Sequence, residues 1–215
     1  MILATGSSAF IPPIPGVEKK NVYMFRTLDD TRALLERAQK GCRAVVIGGG
    51  LLGLEAAHGL QLRGCDVSVV HLLDMLMERQ LDPTGGAYLK RKIESLGIRV
   101  LLPKQTQALL GNGRVDGLRF ASGQELEADL VVIAAGIKPN VDLARRAGLD
   151  VRCGIVVNDH MTTSDPHIHA VGECTEHRGQ TFRLVAPLIE QGKCSQRPSP
   201  ATKARHSPER PRRPS

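Results

Sequence analysis

Residues 44–74 read AVVIGGGLLGLEAAHGLQLRGCDVSVVHLLD, an apolar run that turns through three glycines and continues in a helical pattern. Gly48, Gly50 and Gly53 stand in G-x-G-x-x-G spacing between an expected strand and an expected helix. In that setting the first glycine permits a tight turn and the second lets the backbone approach a pyrophosphate. The third lets the helix pack closely on the strand. The helix start, at Leu51 and Leu52, offers free N–H groups and a positive dipole to phosphates. A glycine pattern alone is weak, but a strand before the turn and a second strand after the helix make it a dinucleotide site.

The residue that reads the ribose is expected about 20 positions on, at the end of the second strand, where an acid bonds the 2′-hydroxyl of NAD. His71 stands there, with Asp74 three residues later. A neutral histidine can bond a hydroxyl, and it spares a 2′-phosphate the repulsion of a carboxylate. The alternative is a surface histidine at a strand end, so NAD and NADP both remain open.

The rest of the body alternates strand and helix signals. Thr27 and Asp30 form a capping pair before LDDTRALLERAQKG, which Gly41 closes. RAVVIGGG, then Leu51–Leu62, then DVSVVHL give strand, helix, strand; Asp82 and Pro83 start a helix to Leu96, and GIRVLL follows as a strand. QTQALLG, GRVDGLRFASG and QELEADLVVIAAG then read as a meander. The fold class is α/β, a Rossmann-like half-sheet with an accessory antiparallel element.

Charge and cysteines narrow the functional classes. The net charge is +7, but residues 193–215 hold seven Lys or Arg and one Glu. The remaining 192 residues are close to neutral, so the basic balance belongs to the tail. That tail is rich in Pro, Arg and Ser and reads as disordered, as a linker, a basic binding arm or a shifted reading frame. It lacks aromatic residues for base stacking, which weighs against a nucleic-acid partner. Five scattered cysteines without a C-x-x-C pair argue against a redox disulfide or a zinc site. No apolar run is long enough for a membrane helix and no signal peptide is visible, so a cytoplasmic location is expected.

Three further stretches carry a family resemblance. ILATGS (2–7) resembles the strand and turn that precede the NAD domain in two-dinucleotide flavoprotein reductases. DLVVIAAGIKPN (129–140), with Gly136 in its turn, resembles the segment where the chain leaves that domain. IHAVGECTEHRGQTFRLVAPLIEQGK (168–193) resembles the second FAD motif of the same enzymes. Over residues 2–193 the chain resembles the FAD-dependent pyridine nucleotide-disulfide oxidoreductase superfamily, in the branch without a redox disulfide. HLLDMLMERQLD and GECTEHRGQTFRLVAPLIEQG are most similar to the flavin module of the assimilatory nitrite reductase large-subunit family.

The resemblance implies FAD and NAD(P)H as cofactors. Thr5 and Gly6 would lie along FAD, and Gly172 and Glu173 would meet its pyrophosphate and ribitol. The family usually carries Asp at the place of Glu173, which is otherwise an acid at a helix start. Glu55 matches a family glutamate near the nicotinamide and is otherwise an ordinary helix residue. Hydride would pass from NAD(P)H to FAD and electrons onward, to nitrite in the intact parent. No side chain is needed as a catalytic acid, base or nucleophile, and no metal site is expected. Family members open on a G-x-G-x-x-G of their own for the ADP half of FAD, whereas this sequence has one such motif, already assigned. The expectation is a fragment without the electron-acceptor domains, with a catalytically inactive dinucleotide-binding remnant as the alternative. The expected layout is residues 1–40 as a flavin-domain remnant with a connecting helix, 41–138 as the NAD(P)-binding domain, 139–192 as the returning flavin segment, and 193–215 as the tail.

Overall fold

A computed structural model describes residues 1–195. The expectation for the tail lies outside the described residues, except for 193–195, which end the last helix. The described residues form two compact units, residues 9–137 and residues 1–8 with 138–195.

The larger unit runs β1 (Val22–Met24), α1 (Leu28–Arg37), β2 (Arg43–Ile47), α2 (Leu51–Leu62), β3 (Asp66–Val70), α3 (Pro83–Ser95), β4 (Arg99–Leu101), β5 (Thr106–Leu110), β6 (Gly117–Phe120), β7 (Glu125–Glu127) and β8 (Leu130–Ile133). Its main sheet has the order β1-β8-β2-β3-β4, with every pair parallel. Strands of such a sheet are covered on both faces, which is why β8 is a continuous Leu/Val/Ile run and the last four residues of β2 and of β3 are all buried. Ala44, Val46, Val67, Val69 and Val132 pack with Leu54, Ala57 and Leu60 of α2. The alternate residues Val45, Ile47, Val131 and Ile133 pack with Leu109, Leu118 and Phe120 of the antiparallel β5-β6-β7 sheet. One face is thus closed by helices and the other by the accessory sheet.

Two expectations are corrected. Leu130–Ile133 does not continue the meander; β8 lies between β1 and β2, in register with Ala44–Ile47. Its four residues are all buried, a pattern that suits the centre of a parallel sheet better than a one-sided antiparallel edge. Residues 9–40, expected with the flavin-side remnant, pack in the larger unit. Leu34 and Ala38 enter the helix-covered core, and Ile14, Val17, Val22 and Met24 pack on the opposite one.

At the amino ends of β2 and β8, Asp129 clamps the parallel pair. Its carboxylate accepts from the Arg43 backbone N–H at 3.0 Å, from Nε at 3.0 Å and from Nη2 at 2.6 Å. Glu127 is a further partner of the same guanidinium. The Arg43 hydrogen bonds hold the Asp129 carboxyl below the usual carboxylate range. A carboxyl with a depressed folded pKa stabilises the fold above its unfolded value, about 3.9, and that contribution is lost as pH falls through the folded value. Asp129→Asn is expected to cost about 1 kcal/mol at neutral pH, the scale of a half-exposed bidentate pair. Urea unfolding of both proteins checks this, and the gap should begin to narrow only as pH falls below the unfolded value of about 3.9.

In the smaller unit Ile2–Leu3 pairs in parallel with His169–Ala170. Ile155–Val157 pairs in parallel with Thr175–His177, which turns back antiparallel onto Gln180–Thr181. The two-residue turn has Arg178 at φ 50 and Gly179 at φ 77, as a tight hairpin of this hand requires. Arg178 tolerates that conformation while its guanidinium grips both oxygens of Asp159, at 2.9 and 2.8 Å. Helices α4 (Asp142–Arg146) and α5 (Val185–Ser195) complete the unit. Its core gathers Leu3, Val141, Ala144, Ile155, Val157 and Ala170, among others. No described helix is long and apolar enough to cross a membrane.

Candidate functional site

The glycine turn follows the carboxyl end of β2, the central strand, and leads directly into α2. Each glycine has its own reason. Gly48 has φ +131, and a Cβ there would lie 2.3 Å from the Ala134 carbonyl oxygen. A Cβ on Gly53 would lie 2.1 Å from the Gly48 oxygen, so the helix approaches the turn more closely than any other residue allows. A Cβ on Gly49, a glycine outside the G-x-G-x-x-G spacing, would press on Leu76 Cδ2 at 2.7 Å and on the His71 ring at 2.8 Å. Gly50 differs from all three. It has an ordinary φ of −86 and nothing within 4 Å of an added Cβ. Neither backbone strain nor protein packing calls for glycine there, and the bare backbone is open to close approach by a group such as a pyrophosphate.

The start of α2 gives the same indication. Side chains close the first turns of its neighbours: Thr27 and Asp30 form a capping box on α1, and Asp82 accepts from Gly85 N–H at 2.7 Å on α3. On α2 the N-cap is Gly50 and no side chain caps it. The first N–H groups of a helix have no partner within the helix, and here they open beside the bare Gly50. Leu51 and Leu52 are 48% and 40% exposed, so the turn is open to solvent. These residues fit a dinucleotide phosphate.

Glu55 lies on the exposed side of α2 and lines a shallow depression with Leu51, His58 and Met77. Gly136, with φ +116, follows β8 by three residues, and its carbonyl accepts from Phe10 N–H. His71 follows β3, but both of its ring nitrogens are engaged. Gly49 N–H donates to Nδ1 at 3.1 Å, which places the ring proton on Nε2, 3.3 Å from Glu78 Oε2. Glu78 and Gly49 leave no periodic trace in the sequence, because they meet the His71 ring across seven and 22 residues respectively.

In the smaller unit, Thr5–Gly6 and Gly172–Glu173 follow the carboxyl ends of the two paired parallel strands. The structure therefore brings these two turns together. Ser7 Oγ donates to Glu173 at 2.7 Å, and Thr5 Oγ1 donates to the Asn140 carbonyl at 2.6 Å. Asn140 returns a bond from Nδ2 to the Thr5 carbonyl at 2.9 Å. Gly6 (φ +63) and Gly172 (φ +95) are left-handed, and both have open space where a side chain would be. Gln191 of α5, 5% exposed, accepts from Gly172 N–H at 2.8 Å and so ties the second turn to the helix. Two bare turns with an acid between them suit a polar ligand outside the strand ends.

Residues 1–207 match the family described as pyridine nucleotide-disulphide oxidoreductase. The chain is 56% identical over 193 residues to nitrite reductase [NAD(P)H] of Bacillus subtilis (strain 168), covering 90% of this chain and 24% of that protein. It is 46% identical over 192 residues to the nitrite reductase (NADH) large subunit of Escherichia coli (strain K12), covering 87% and 23%. It thus spans about a quarter of the length of these relatives. Among solved structures, putidaredoxin reductase in its covalent complex with putidaredoxin superposes with a TM-score of 0.84 at 31% identity, covering 90% of this chain and 49% of that one. An NAD-dependent persulfide reductase from A. fulgidus gives 0.83 at 31% identity, covering 90% and 37%. The cofactors expected for this chain, FAD and NAD(P)H, are those of this group. The chain belongs to the pyridine nucleotide-disulphide oxidoreductase family.

Proposed function

We propose that this chain is the NAD(P)H-binding and flavin-contacting part of an oxidoreductase that delivers electrons from NAD(P)H, through FAD, to nitrite as final acceptor. The observation that carries the proposal is Gly50, bare at an uncapped helix start while the glycines around it are fixed by protein contacts. Gly48 and Gly53 hold the turn close to α2. The N–H groups of the first turn of α2 bind the pyrophosphate, and Leu51, Leu52, Glu55 and Gly136 border the nucleotide. Thr5, Gly6, Gly172 and Glu173 hold the flavin from turns at adjacent strand ends. When bound, FAD supplies the hydride and electron chemistry, and the protein's part is to orient it and to exclude side reactions.

The sequence holds a single strand–glycine turn–helix, and the nicotinamide dinucleotide takes it. The 215-residue chain is therefore expected to bind NAD(P)H and to hold FAD poorly. A loss of about 4 kcal/mol in flavin affinity is a thousandfold in Kd. The test is a diaphorase assay with ferricyanide on the purified chain, with and without added FAD, beside a direct NADH titration. Binding without turnover is expected at micromolar FAD. Robust ferricyanide reduction would show that the flavin half is sufficient as it stands, and absence of NADH binding would refute the proposal.

A further inference from the structure

The ribose position is the one place where this sequence departs from what a dinucleotide turn requires. Where an acid is expected, at the end of β3, stands His71, and its ring is committed to Gly49 on one side and Glu78 on the other. That commitment has a consequence for the loop that follows. Met77 N–H donates to the Gly49 carbonyl at 3.0 Å, so the loop returns to the glycine turn itself. Met77 adopts a left-handed φ of 55, uncommon for a residue with a long side chain and maintained by its surroundings. The next residue is Glu78, and its carboxylate meets His71 Nε2 while keeping 29% side-chain exposure. One oxygen is therefore directed by the histidine, whose other nitrogen meets the glycine turn, while the glutamate side chain stays partly exposed.

We infer that Glu78, positioned by His71, replaces the missing strand-end acid as the reader of the adenosine ribose and selects NADH over NADPH. A carboxylate there accepts a hydrogen bond from a 2′-hydroxyl. Against a 2′-phosphate, which carries a charge of about −2, it is repulsive. His71 acts through Glu78 as a positioning residue. This assignment rests on the nucleotide site proposed above and adds its specificity.

The test is equilibrium titration of NADH and of NADPH, each followed by nucleotide fluorescence, on the wild-type chain and three variants. The ratio of the two affinities is taken within each protein, so a partly unfolded preparation cancels out, and melting curves report folding separately. Wild type is expected to favour NADH, and Glu78→Gln to lower that preference about tenfold, the scale of one discriminating charged contact. His71→Leu, which removes the support, is expected to lower it in the same direction. The double change His71→Glu with Glu78→Gln returns an acid to the strand end and is expected to recover the preference. A ratio unchanged in Glu78→Gln, or a wild-type preference for NADPH, would overturn the role of Glu78 and leave the nucleotide site standing. Failure of wild type to bind either nucleotide would overturn both.

Discussion

A Gly48→Ala chain is expected to lose about 3 kcal/mol or more of folding stability, from two additive causes. The left-handed backbone at φ +131 costs a non-glycine residue about 1–3 kcal/mol. The added Cβ would lie 2.3 Å from the Ala134 carbonyl oxygen, a backbone atom that cannot rotate away. Relief requires β2 and β8 to separate at their carboxyl ends, where Ala134 N–H bonds the Ile47 carbonyl at 2.9 Å. Total stabilities are typically about 5–15 kcal/mol, so the variant sits near the threshold of folding. Urea unfolding followed by circular dichroism measures the loss. A change within about 0.5 kcal/mol, the range of an inert surface substitution, would contradict the geometry described for the turn.

Gly50→Ala, two residues on, is expected to do the reverse: leave the fold intact and remove the ligand. Alanine is a poorer N-cap than glycine by about 0.5–1 kcal/mol, and the reduced freedom of the unfolded chain returns about 0.4–1 kcal/mol. The two nearly cancel, and the new methyl group meets no protein atom within 4 Å. It does occupy the space in which a pyrophosphate would contact the backbone. NADH affinity is expected to fall at least about tenfold, equivalent to about 1.4 kcal/mol. Calorimetric melting paired with NADH titration separates the two effects. Unchanged affinity would mean that no ligand uses the bare face of the turn.

How far the sequence reveals this depends on the range of the interaction concerned. The β2–turn–α2–β3 unit is legible because each part has a local cause: continuous apolar strands, glycines at fixed offsets and a helical period. The capping residues of α1 and α3 are legible for the same reason, as Thr27, Asp30 and Asp82 act within their own first turns. Leu130–Ile133 is legible as a strand, but its partners are not, since an apolar run four residues long fits an accessory sheet as well as a central one. The placement of residues 9–40 depends on Ile14, Val17 and Leu34 finding cores built from later strands, and nothing near them in sequence says which. At the site, Gly49 and Glu78 are invisible for the reason that makes them informative. Each is explained by the His71 ring, 22 residues from the first and seven from the second.

Amide hydrogen exchange with and without saturating NADH shows whether the uncapped start of α2 receives a nicotinamide dinucleotide. With no nucleotide, the N–H groups of Leu51 and Leu52 lie exposed at a helix start that no side chain caps, and they should exchange quickly. On adding NADH, slowed exchange is expected to concentrate in residues 48–54, while the first turn of α3, closed by Asp82, changes little. Protection that avoids residues 48–54, or no change anywhere at saturating NADH, would contradict it.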